Sequence, residues 1–219
     1  MSGELQRLEG ADRRASEHAA RLHAVLLPDS PIARLGPVFM THFYYGTLVR
    51  DNLLRCYLAY VGDSPAGFIS FTDRPATFMA EGLRRHWLHL AGVLARAVVA
   101  DPRRIGVMLW TFGLMRRRTR APEPGEGELL SFGVLPEFRG VPFVQRTGRR
   151  IGAELFAAAC DDLHALGADR FRAVVAKDNA AALMFYQAQG CRVDRERDSL
   201  AGTLVVVGRC GESDDVSVR

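Results

Sequence analysis

Apolar residues recur along the chain at two spacings, and the change from one to the other marks out its elements. Ala15, Ala19, Leu22 and Leu26 fall at the three-to-four-residue interval of a single helix face, which predicts a helix over 12–27. The breaker Pro28-Asp29-Ser30-Pro31 ends it, and a second helix is expected from Pro37, with Phe39, Phe43 and Leu48 apolar. Residues 5–8 read as a short strand. Residues 54–61 and 66–71 read as a hairpin around the turn Gly62-Asp63-Ser64-Pro65. Further on come a strand at 128–134, a helix at 147–166 closed by Gly167 and a buried strand at 171–175. A short helix at 179–189 closed by Gly190 follows, then two last strands at 192–197 and 203–207. Strands alternating with helices in this half predict a mixed α/β sheet with crossover connections.

The stretch 74–120 breaks this rhythm. Leu83, Trp87, Leu90, Leu94 and Val98 share one helical face, Asp101-Pro102 is a helix start, and Ile105, Met108, Leu109, Phe112 and Met115 make a second apolar stripe. A helical hairpin set between strands is the expectation, within one domain spanning 1–219. Ten arginines against Glu81 and Asp101 give this stretch a balance of +8. Of the total +4, the rest of the chain therefore carries −4, so the basic character is local.

That modest excess suits anionic ligands but, without a matching motif, does not predict nucleic-acid binding. Cys56, Cys160, Cys191 and Cys210 show no metal-ligand spacing, so no metal site is expected, and they read as small buried hydrophobes in a reducing compartment. The first ten residues carry charge and no apolar run, and no apolar stretch is long enough to span a bilayer. A cytoplasmic protein is expected.

Two segments carry chemistry. In the first, Val134-Leu135-Pro136-Glu137-Phe138-Arg139-Gly140 ends a strand, and Thr147-Gly148-Arg149-Arg150-Ile151-Gly152 opens a helix. The first N–H groups of a helix lack internal partners and sit at the positive end of its dipole, which favours phosphate. Glycines allow close approach, and Arg149 and Arg150 offer charge-assisted bonds to a pyrophosphate. In the second, Asn179, Ala182 and Tyr186 fall on one helix face, with Phe185 directed to the core. A small residue between an amide and a phenol leaves room for a thin ligand along the helix.

Together the segments resemble the GNAT superfamily of acyl-CoA-dependent N-acyltransferases. Asn179, Ala182, Phe185, Tyr186 and Gly190 match its N-x-x-A-x-x-F-Y-x-x-x-G-F motif, with Cys191 in place of the last phenylalanine. Val134, Pro136, Arg139, Gly140, Gly148 and Gly152 match the two ends of V-x-P-x-x-R-G-x-G-x-G/A, around about eight extra residues, with Thr147 and Arg150 departing from the pattern. The likeness is best over 128–207 and looser over the N-terminal helices, where Leu22-His23, Leu27-Pro28, Leu35-Gly36 and Phe39 are similar to one bacterial branch.

The resemblance implies a mostly antiparallel central sheet flanked by helices, with 74–120 inserted, and acetyl-CoA as cosubstrate. The pantetheine would pair with the strand ending at Val134 and Leu135, a backbone N–H there would hold the thioester oxyanion, and Asn179 would contact the pantetheine. Arg139, Thr147, Gly148, Arg149, Arg150 and Gly152 would serve the pyrophosphate. Tyr186 would protonate the leaving thiolate, and Glu128 is the candidate base, with His23, His42, Tyr44 and Tyr45 as alternatives. The acceptor would be a small amine, with an anionic amino-sugar derivative among the candidates. Readings of the basic hairpin are an acceptor-site wall, a homodimer contact, a membrane-surface dock or a packed insertion. The competing functions are a non-catalytic acyl-CoA-binding module and a membrane-associated interaction protein.

Overall fold

The computed structural model describes residues 3–88, 92, 122–194 and 202–211. Strand β1 (Gly3–Arg7) leads into α1 (Arg13–Leu26), whose N-cap Asp12 accepts a hydrogen bond from the Ala15 amide at 2.9 Å. A short α2 (Pro31–Arg34) is capped by Ser30. The helix predicted from Pro37 is α3 (Pro37–Phe39), a π-helical stretch (Met40–Thr47) and α4 (Leu48–Arg50) in succession. The adjacent Phe43, Tyr44 and Tyr45 of this stretch are all buried.

The hairpin is β2 (Arg55–Val61) and β3 (Ser64–Thr72). Helix α5 (Phe78–Arg85) follows and packs against α4: a Cβ on Gly82 would stand 2.2 Å from the Leu48 side chain. The rest of the expected helical hairpin, including its second apolar stripe, lies outside the described residues. The second half holds β4 (Glu126–Val134), α6 (Val141–Thr147), α7 (Ile151–Ala165), β5 (Arg170–Ala176), α8 (Ala180–Ala188), β6 (Arg192–Asp194) and β7 (Thr203–Arg209).

One element differs in kind from its prediction. The helix expected over 147–166 is broken near its start: Thr147 ends α6 instead of opening a long helix. Gly148 turns left-handed at φ 70°, and α7 begins at Ile151. The physical reason is the inserted segment. Gly140-Val141-Pro142 gives it a helix start of its own, with proline in the first turn, and Gly148 gives it a stop.

The seven strands form one sheet in the order β1-β2-β3-β4-β5-β7-β6. Among the described residues every pairing is antiparallel except β4 with β5. One core, between the sheet and α7 with α8, contains Leu129, Val134, Leu155, Phe156, Phe171 and Tyr186. The other, under α1 and the π-helical stretch, contains Leu22, Phe39, Phe43, Tyr45 and Phe68.

Candidate active site

The site follows from a defect at the centre of the sheet. In the β3–β4 ladder Ser70 pairs with Ser131 and Phe71 with Leu129, which leaves Leu130 as an extra residue. Such a bulge bends its strand and increases the local twist. Pairing of β4 with β5 stops at the same point, with Leu129 opposite Ala173 as the last pair. Beyond it the two strands part, while β5 stays bonded to β7 through Ala176. The Leu135 amide donates to Ala66 O on β3 at 2.8 Å. By strand alternation the Val134 N–H points the other way, into the opening, where no described strand pairs with it.

Helix α8 supplies one wall. Its N-cap Asn179 accepts from the Ala182 amide at 3.1 Å through Oδ1, which leaves its Nδ2 group to a ligand. Two turns further, Tyr186 is buried against Phe132 of the diverging part of β4 and Phe156 of α7, with ring centroids 6.5 and 6.2 Å away. Phe185 packs across Gly152 into the same core. Among the described residues the Tyr186 hydroxyl has no hydrogen-bond partner. Burial, followed by the nearby Cys191 and Cys160 thiols, pushes its ionisation well above the usual phenol range. It is thus a protonated, unengaged donor at neutral pH. All four cysteines are free and buried, and burial raises the Cys191 thiol to about 11.

The other wall is the start of α7. Arg150 occupies the N-cap position, no side chain caps the helix, and the Glu154 amide is the first to bond inward, to Arg150 O at 3.0 Å. The N–H groups of Ile151, Gly152 and Ala153 are left for an anion. Arg149 and Arg150 part company here. Arg149 is drawn to Glu154, with Nε 3.1 Å from Oε2, and donates to Tyr60 O at 3.2 Å, so it ties the turn to β2. Arg150 is exposed, as are Arg139 and Gly148. Thr147 accepts from the Arg149 amide and donates to Phe143 O, which serves the turn itself. Leu135 is half-buried just past β4 and packs on the α1 side.

Glu128 is placed differently from the rest. It stands opposite Arg172 in the parallel ladder, one pair below the opening. Arg172 Nε and Nη2 both donate to its Oε2, at 3.2 and 2.9 Å, and both side chains are 5% exposed. Its carboxylate is paired with a guanidinium.

Among the alternative bases, His42 is exposed, while Tyr44 and Tyr45 are buried. His23 is fully buried, with Nδ1 2.7 Å from Tyr45 Oη and Nε2 2.7 Å from Ser30 Oγ, and burial lowers its pKa to about 4. This triad was not legible in the sequence, where its members are separated by breakers. A separate concavity of about 330 Å³, lined by Arg7, Gly10, Arg50, Asn52 and Arg55, contains none of the predicted site residues. No helix among the described residues is long and apolar enough to cross a membrane.

The chain is similar in fold to several solved structures. It matches the PH1933 protein of Pyrococcus horikoshii OT3 at TM-score 0.55 and 15% identity, covering 95% of this chain and 98% of that one. An acetyltransferase from Streptococcus agalactiae 2603 matches at TM-score 0.54 and 13% identity, covering 94% and 98%. Arabidopsis thaliana Naa50, in complex with the bisubstrate analogue CoA-Ac-MVNAL, matches at TM-score 0.50 and 16% identity, covering 95% and 99%. No curated protein sequence matches the chain. The model of the acetyltransferase (GNAT) family matches residues 20–191, which takes in α1, the split sheet and the Tyr186 helix. With that match over most of its length, the chain belongs to the acetyltransferase (GNAT) family.

Proposed function

We propose that the protein transfers an acetyl group from acetyl-CoA to the amine of a small-molecule acceptor, by direct attack in a ternary complex. The observation that carries this reading is the opening between β4 and β5, which has the Val134 N–H on one edge and, packed on Phe132 of the diverging β4, the ring of Tyr186 with its unengaged hydroxyl. The residues present fit the donor. The unpaired edge of β4 offers strand-like bonds to the two amides of a pantetheine, and Asn179 Nδ2 offers another. The unbonded N–H groups at the start of α7, with Arg150 at its N-cap, suit a pyrophosphate.

Each group has a distinct task. The Val134 N–H would stabilise the thioester oxygen as negative charge grows on it. As the carbon–sulfur bond breaks, Tyr186 would give its proton to the thiolate and be reprotonated, directly or through water, by the proton that the newly acylated nitrogen sheds; burial favours the protonated phenol at neutral pH. Because Arg172 already occupies Glu128, we assign Glu128 to holding β4 and β5 together at the throat of the cleft. The acceptor then reacts as its neutral amine fraction. The bisubstrate analogue bound by Naa50 joins CoA, an acetyl group and a peptide, the connectivity that such a ternary complex requires.

The test is release of CoA thiol from acetyl-CoA, with glucosamine and spermidine as first acceptors, in wild type and Tyr186→Phe. The expected outcome is a kcat about 10²-fold lower or more in the variant, with donor affinity unchanged. Equal rates would remove Tyr186 from the mechanism. Donor binding without turnover across a broad amine panel would favour the non-catalytic module.

A further inference from the structure

The segment that separates the two halves of the phosphate loop is a helix of its own, with an exposed arginine, Arg146, in its last turn. Phe143 is buried and stands edge-to-face with Phe138, which seats α6 on the turn after β4. The Arg146 guanidinium lies over the Phe143 ring, 5.9 Å from its centroid. The joint that follows is fixed by the left-handed Gly148, by the two bonds of Thr147 and by the clasp of Arg149 on Glu154 and Tyr60 O. Arg146 is therefore held a few residues from the free N–H groups of α7, on the opposite side of the joint from Arg149.

The ion-pair pattern separates these arginines by role. Arg149 is satisfied internally. Arg139, Arg146 and Arg150 are exposed and, among the described residues, make no ion pair. The helix start and Arg150 suffice for a pyrophosphate, which leaves Arg139 and Arg146 as surplus positive charge. CoA carries one more anion, the 3′-phosphate of its ribose, a monoester with roughly −1.5 to −2 charge at neutral pH. Guanidinium groups bind such a group through paired, charge-assisted bonds.

We infer that α6 makes the enzyme selective for the 3′-phosphorylated form of its donor, with Arg146, assisted by Arg139, as the residue that reads the 3′-phosphate. This rests on the acetyl-CoA reading above. It goes beyond that reading, because the pantetheine cleft and the α7 start would serve a donor lacking this phosphate equally well.

The experiment is calorimetric titration of the full chain with CoA and with 3′-dephospho-CoA, for wild type, Arg146→Ala and Arg139→Ala/Arg146→Ala. The wild type is expected to prefer CoA by about tenfold or more, the worth of one charged hydrogen-bond set. Arg146→Ala should lose most of that preference through weaker CoA binding, with dephospho-CoA affinity held. Equal affinity of the wild type for both ligands would overturn this inference alone, as would a preference that survives in the double variant. Absence of binding by either ligand would overturn the donor reading and this inference with it.

Discussion

His23 shows how one buried side chain ties the pH response of the fold to a local geometry. It is held neutral between Tyr45 and Ser30, and burial brings its pKa down to about 4 from 6.5. The unfolded chain takes up a proton near pH 6.5 that the fold refuses until about pH 4. In that window the unfolded state holds more protons, so stability rises with pH. This residue should contribute nothing to the slope above pH 6.5 and remove about 3 kcal/mol as pH falls through the window. Urea unfolding of wild type and His23→Gln between pH 4 and 8 checks it. The wild-type curve should converge on the variant's at acid pH, and parallel curves would contradict the assignment. Tyr186 sits at the other extreme. Burial raises its ionisation, so it should add no alkaline limb in the working range.

At the level of elements, the cleft is made by a bulge and closed by an ion pair. Leu130 forces β4 away from β5, and Glu128 with Arg172 fastens the two strands just below. Removing one partner of a buried pair leaves the other charge uncompensated. Glu128→Ala should therefore cost about 3–5 kcal/mol in chemical denaturation, with catalysis reduced only as far as the cleft is disturbed. A variant of unchanged stability whose kcat drops a hundredfold or more would instead restore Glu128 as the base.

Which of these elements could be read from the sequence has a physical pattern. The amphipathic α1, the β2–β3 hairpin and α8 with its glycine stop were legible because their spacing and punctuation are local. Asn179 and Tyr186 were found on one helix for the same reason. The break at Gly148 was missed because Arg149-Arg150-Ile151 keeps helical periodicity across it. The Glu128–Arg172 pair was invisible because it joins residues 44 positions apart. The engagement of Arg149 was hidden in the same way, since its partners Glu154 and Tyr60 are fixed only once α7 packs against β2.

For the molecule as a whole, two cores clamp one twisted sheet from opposite faces, and the cleft lies where the antiparallel ladder gives way to the parallel pairing of β4 with β5. The central claim is that this split, with the start of α7, is the donor site. Hydrogen–deuterium exchange with and without acetyl-CoA tests it most directly. The account predicts slowed exchange at Val134 and over the first turn of α7, residues 151–153, with no change in the loop at Gly10 beside the arginine-lined concavity. Protection confined to that concavity, or none at the split, would contradict the account.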